Sequence, residues 1–277
     1  MMQVFILLGL VLAPVLAISW ARTRRESRRR TLRTRPFPDP WRAMLDRNVA
    51  LYPRLPEALK TELHGLIHIF LDEKHFEGAG GLVLTEEIRL TIAAQACILL
   101  LNRKTDVYPR LQSIVIYPHE FDVPTARAFS SGHYVNDTET RLGESWRTGA
   151  VVLAWDHVLQ SSRDLHDGHN LVFHEFAHQL DQESGEADGA PALDRASHYL
   201  AWARVLSRDY EDLRRRVAQE LPSFMDQYGA TNEAEFFAVA TEFFFEQPDL
   251  LRRQYPELYN ELKSFYKQNP GEYREPE

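Results

Sequence analysis

The run Leu171-Val172-Phe173-His174-Glu175-Phe176-Ala177-His178-Gln179-Leu180 constrains the chain more than any other stretch. Nothing between Asn170 and Asp181 breaks a helix, and so apolar a run belongs in a core. On a helix, positions four apart stack on one face, so His174 and His178 present two imidazoles to one point. Zn²⁺ accepts two neutral imidazoles readily, and a catalytic zinc keeps one position for water. Glu175, one residue on, stands beside that face within reach of the water's proton. The plain alternative is an amphipathic core helix that carries two histidines. The chain holds its own control: His64 and His68 have the same spacing but no Glu between them and no later carboxylate in a matching context. That pair reads as helix surface or satisfied core.

Two histidines need a third protein ligand, and it should come from another helix. Residues 228–242 offer Glu233, Glu235 and Glu242. Glu235 and Glu242 are seven apart and share a helix face. With Asn232 as N-cap, Glu235 also occupies the capping-box position, so spacing alone does not choose its role. Asp181 lies three residues after His178, on the ligand face, where a carboxylate can orient an imidazole. An ordinary acidic residue at a helix C-terminus is the alternative there.

The N-terminal residues are a different material. Residues 4–21 are interrupted only by Gly9, Pro14, Ser19 and Trp20, and these 18 residues approach the ~17–25 that span a bilayer. No Lys or Arg precedes the run, as a cleaved signal peptide would require, whereas an Arg cluster from Arg22 to Arg35 follows it. The expectation is one uncleaved transmembrane anchor over residues 1–21, single-pass in the inner (cytoplasmic) membrane, with the body facing the cytoplasm. Residues 1–35 hold eight Arg and one Glu, a charge of +7; the total of −8 therefore leaves −15 for residues 36–277. So acidic a body excludes a nucleic-acid partner. Cys97 is the single cysteine, which rules out an intrachain disulfide and argues against a thiolate metal site.

Periodicity predicts a mainly helical α+β domain over residues 41–270, after a basic, Pro-containing linker at 22–40 and before a short tail at 271–277. Helices are expected at 41–52, 57–73, 85–101, 170–181, 193–219, 232–246 and 249–268. Short strands are expected near 82–84, at 113–117 and at 149–155, with a hairpin between the last two. The strand before the histidine helix offers an edge for an extended peptide. The glycines at 78–81 lack the Gly-Lys-Ser/Thr of a phosphate loop and read as a turn. The polar loop at 182–191 reads as a rim to the site. The aromatics Tyr255, Tyr259, Phe265 and Tyr266 read as packing.

The segments His174-Glu-Phe-Ala-His-Gln-Leu-Asp181, Tyr228 and Asn232-Glu-Ala-Glu-Phe-Phe-Ala-Val239 together resemble the Mlc titration factor A family of zinc peptidases. The likeness runs from about residue 36 to residue 270 and includes Phe76-Glu-Gly78 and Thr91-Ile-Ala-Ala-Gln-Ala-Cys97. Around the two site segments it extends to the catalytic domain of anthrax lethal factor. The resemblance implies a gluzincin-like fold and maps the metal ligands onto His174, His178 and Glu235. It maps the general base onto Glu175 and a tyrosine near the metal onto Tyr228. Asp181 and Glu242 are then the carboxylates behind the ligands. The implied function is zinc-dependent hydrolysis of peptide bonds in a peptide or protein substrate. A peptidase-fold protein that sequesters a transcriptional regulator is the alternative. The expected N-terminal anchor departs from soluble members.

Overall fold

The computed structural model describes residues 2–119 and 149–274, with residues 2–15 described by their backbone alone. Helix α1 covers Met2–Arg33, α2 Asp39–Asn48 and α3 Glu57–Glu73. Strand β1, His75–Gly78, leads into α4, Glu86–Ile98, and then β2, Ser113–Tyr117. Strand β3, Ala150–Ala154, runs straight into α5, Trp155–Arg163. After it come α6, Leu171–Asp181, α7, His198–Ala218, and α8, Glu233–Glu246. Helices α9, Pro248–Gln254, and α10, Pro256–Tyr266, follow. The α+β expectation holds: the described residues are mainly helical around one small sheet.

Local chemistry sets several boundaries. The Thr85 hydroxyl accepts the Ile88 amide at 3.2 Å and starts α4, with Glu86 and Glu87 in the favourable first turn. The single helix expected over 249–268 is two. Pro256 has no amide to donate, and Tyr255 ahead of it sits at φ −132° and ψ 68°, outside the helical region. The strand expected near 82–84 lies instead before the glycines, as β1. Gly78 ends it because a Cβ there would collide with the Leu82 carbonyl, where the chain folds back. Helix α5 was not foreseen, its nine residues being short for a periodic signal.

The sheet order is β1-β2-β3 and both pairings are parallel, with His75 opposite Ser113 and Ser113 opposite Ala150. Ile114 and Ile116 of β2 and Val151 and Leu153 of β3 are buried in alternation with half-exposed neighbours. Strand β3 is an edge of this sheet among the described residues, as the peptide-binding expectation requires. The hairpin expected between β2 and β3 falls on residues outside those described. The core around α8 is aromatic: Phe237, Phe244 and Phe245 pack with Trp202, Tyr259, Phe265 and Tyr266, and Phe236 packs on Tyr210. Cys97 is buried there, its thiol pushed far up by burial.

The N-terminal segment departs most from expectation. Residues 22–33 are not linker but the second half of α1, docked along α3. Gly65 permits the approach, since a Cβ there would meet the Arg33 backbone at 3.1 Å. Arg25 and Arg29 both bind Glu73, with Arg25 Nη2 2.8 Å from Oε2 and Arg29 Nε 2.5 Å from Oε1. Arg29 also pairs with Asp106, and Arg28 with Asp72. Burial works to raise the Glu73 carboxyl, but Arg29 and Arg25 outweigh it and hold it down at about 2. Among the described residues no helix is long and apolar enough to cross a membrane, so the transmembrane helix expected over 1–21 finds no support in the fold. Of the seven arginines at 22–33, Arg25, Arg28 and Arg29 pair with acidic residues of the domain.

Candidate metal centre

Helices α6 and α8 face one another through side chains sixty residues apart in sequence. Asn170 starts α6 by accepting the Phe173 amide at 2.9 Å, and Asn232 starts α8 by accepting the Glu235 amide at 2.9 Å. These caps set the phase of the two helices. On α6, His174 and His178 then project from adjacent turns, and both are buried. On α8, the first turn carries Glu235 towards them.

The three groups converge. Glu235 Oε2 lies 2.9 Å from His174 Nε2 and 3.2 Å from His178 Nε2, and the two Nε2 atoms are 3.2 Å apart. A tetrahedral ion with bonds of ~2.0–2.1 Å sets its ligand atoms about 3.3 Å apart, so this triangle has the right size. Two imidazole nitrogens and one carboxylate oxygen are also a donor set that divalent zinc accepts at catalytic sites. Among the described residues this is the one group of three or more His, Cys, Asp or Glu side chains able to hold a metal ion. The carboxylate of Glu235 is thus turned to the histidines, while its amide keeps the capping bond.

Charge in the site follows from that packing. Burial disfavours charge on His174, but the carboxylates of Glu242 and Glu235 outweigh it and hold its pKa well above the ordinary value. Burial likewise works to raise Glu235, and the two imidazoles outweigh it and hold its carboxyl below the usual range. His174 Nδ1 lies 2.8 Å from Glu242 Oε1, so Nδ1 donates its proton there, and a neutral ring, as a metal ligand must be, would turn its Nε2 lone pair towards Glu235 and His178. Glu242 therefore lies behind the His174 ring.

Asp181 ends α6 within the electrostatic reach of His178. It is fully buried, and its Oδ2 accepts the Gly189 amide at 2.8 Å. Gly189 is pinned in turn, because a Cβ there would lie 2.5 Å from the Glu233 carbonyl and its own carbonyl accepts Trp202 Nε1 at 2.9 Å. Asp181 thus ties the 182–191 loop to the end of α6, and burial pushes its carboxyl up to about 7. Glu175 is 1% exposed, on the turn between the two histidines. Tyr228 sits in a short 3₁₀ turn, Gln227–Ala230, with its ring centroid 5.9 Å from that of His174.

Two contributors were not read from the sequence. Asn170 donates its backbone amide to Glu242 Oε2 at 2.5 Å and its side-chain amide to Glu246 Oε1 at 3.1 Å. Glu235, Glu242 and Glu246 recur at seven and four residues, so one stripe of α8 meets the ligands, the ring behind them and the start of α6. That stripe is visible in the sequence; its partner is not.

Comparison with known proteins agrees with this geometry. The sequence model described as glucose-regulated metallo-peptidase M90 matches residues 21–267. The uncharacterized protein slr2042 of Synechocystis sp. is 41% identical over 241 residues, 86% of this chain and 87% of that protein. Mlc titration factor A of Serratia proteamaculans is 34% identical over 203 residues, 72% of this chain and 76% of that protein. The protein of the same name from Klebsiella pneumoniae is 32% identical over 224 residues, 79% of this chain and 83% of its own length.

Proposed function

The chain belongs to the glucose-regulated metallo-peptidase M90 family, and from that premise we propose that it is a zinc-dependent peptidase hydrolysing peptide bonds. The observation that carries the reading is the buried triangle of His174 Nε2, His178 Nε2 and Glu235 Oε2. Zinc held by these three groups would supply Lewis acidity, polarising a carbonyl and acidifying a water. The chain's own residues do the rest. Glu175 takes the proton of the attacking water and returns it to the leaving amine. Tyr228 donates a hydrogen bond to the oxyanion that develops on the scissile carbonyl. Glu242 holds the His174 ring in the tautomer that keeps Nε2 free to bind. Strand β3 offers its edge to an extended substrate.

A second reading is supported by the name of several relatives, Mlc titration factor A. On it, the fold would sequester a transcriptional regulator rather than cut it. The acid, base and ligand positions are all filled in this chain, which favours the enzyme. One experiment separates the two: the purified full chain is assayed for bound zinc and for turnover of a mixed peptide library, beside Glu175→Gln. Turnover by the wild type and its loss, ~10²–10⁴-fold, in a zinc-replete Glu175→Gln is expected. Equal turnover by both would remove Glu175 as the base, and none by either with a regulator still bound would favour the sequestering protein.

The apolar run at 4–21 and the arginines behind it support an anchored protein with its body in the cytoplasm; this rests on sequence alone. A reporter fused after Glu277 should be active only if it works in the cytoplasm. Activity of a reporter that needs the opposite side would overturn that orientation.

A further inference from the structure

The turn that carries Tyr228 is held by a residue outside the metal centre. Asp226 Oδ1 accepts the Tyr228 amide at 2.7 Å, and its backbone carbonyl accepts the Gly229 amide at 3.1 Å. Its other carboxylate oxygen lies 3.4 Å from Nε2 of His169, the residue just ahead of the α6 cap. The Asp226 side chain is 10% exposed, whereas that of His169 is 52% exposed. Gly229 has little room to shift, since a Cβ there would meet Leu213 Cδ2 at 3.2 Å and Val239 Cβ at 3.3 Å. One carboxylate therefore ties the tyrosine's own backbone to the chain that enters the histidine helix.

We propose that Asp226 is a positioning residue, which fixes the distance between the Tyr228 phenol and the His174 face by clamping the tyrosine turn to the entrance of α6. The proposal rests on the peptidase reading above for its kinetic consequence. Its physical logic is that a hydroxyl stabilises an oxyanion only when held at hydrogen-bond range, and a small misplacement is costly. Without the clamp, the turn keeps its backbone path but not its register against α6.

The test is a double-mutant cycle on the zinc-loaded full chain, with the best-cleaved peptide of the library as substrate. Asp226→Ala should lower kcat about tenfold or more with KM little changed. In a Tyr228→Phe background the same change should cost less than about twofold, because the group it positions is already gone. Asp226→Asn keeps an oxygen acceptor for the Tyr228 amide and should stay within about threefold of wild type. An equal loss from Asp226→Ala in both backgrounds would overturn the proposal. A readout without metal or substrate runs beside it: in the metal-free chain, exchange of the Tyr228 amide should quicken at least about tenfold in Asp226→Ala and not in Asp226→Asn. Unchanged exchange in Asp226→Ala would also overturn the clamp, and this arm is decisive even if Asp226→Ala folds poorly, because Asp226→Asn reports separately. A wild type that cleaves no peptide sinks the peptidase reading alone, and amide exchange still decides whether Asp226 holds the turn.

Discussion

Two histidine pairs with one spacing lie in two helices of this protein, and their surroundings make them chemical opposites. His64 and His68 on α3 are both nearly buried. The His64 ring stacks on Phe37 at 3.9 Å and 11°, and its Nε2 meets the Tyr52 hydroxyl at 2.8 Å. His68 lies against Phe37 and Trp41, with ring centroids 5.6 and 5.4 Å away. Burial, aided by the nearby Arg42, pulls His64 down to about 4, and burial lowers His68 as well. His174 and His178 on α6 meet Glu235, and His174 also meets Glu242. Helical spacing puts two imidazoles on one face in both cases. Only the carboxylates of a second helix turn one pair into ligands, while aromatic neighbours make the other pair neutral core.

The largest effect should come from the ligands themselves. His174→Ala, His178→Ala and Glu235→Ala should each lose zinc and with it all turnover, whereas His64→Ala and His68→Ala should keep the full zinc content of the folded protein. Full zinc in Glu235→Ala would return that residue to its capping role and dissolve the contrast. Next in size is Tyr228→Phe, which removes one hydroxyl beside His174; kcat should fall ~10²–10³-fold with zinc unchanged. Turnover within a few-fold of wild type would leave Tyr228 as packing. Glu242→Gln sharpens the contrast further, because it leaves all three ligands in place. Loss of the carboxylate behind the His174 ring should weaken zinc binding ~10–100-fold in a competition titration. Unaltered affinity would mean that packing alone orients the ring.

The smallest effect is one of acidity, and His64 and His174 should answer it with opposite signs in the metal-free protein. His64 has a folded pKa of about 4 against an ordinary ~6.5, so between those values the unfolded chain binds the extra proton. Its contribution is present above pH 6.5 and is lost as pH falls towards 4, by no more than about 3 kcal/mol. His174 has a raised folded pKa, so its contribution is complete below pH 6.5 and is lost only as pH rises through that higher value. Asp181, held near 7, titrates alike in both proteins, so between pH 7 and 4.5 the urea midpoint of wild type should fall relative to that of His64→Gln. Glu73, held at about 2, gives up its contribution only below its ordinary pKa near 4.5 and does not disturb this window. An identical fall in both proteins would show that His64 is not the titrating group.

Much of the site was legible because it is written locally. Asn232 caps the turn it precedes, and His174 and His178 need only a helical period. Thr85 and the bounds of α3 follow from the same short-range rules. Asp181 is legible only in part, for a matching reason. Its position on the ligand face is local, but its partner, the Gly189 amide, arrives on a loop whose course depends on Glu233 and Trp202. The sequence shows the arginines after Ala21 only as a basic linker, because Asp72, Glu73 and Asp106, the partners of Arg25, Arg28 and Arg29, lie more than forty residues away.

By itself, then, the amino-acid sequence determined which residues could act: a buried helix with two aligned imidazoles, a neighbouring acid, and a second capped helix rich in carboxylates. Those features depend on a 3.6-residue period and on hydrogen bonds spanning three residues, and both are set within one turn of chain. The tertiary structure decided which of them meet. It turned Glu235 from its cap to the histidines, set Glu242 on His174 Nδ1, sent Asp181 to Gly189 and laid α1 along α3. Each of those choices joins groups that the chain separates by eight to nearly eighty residues. The packing of whole helices, not the spacing within one, brings such groups within 3 Å of each other.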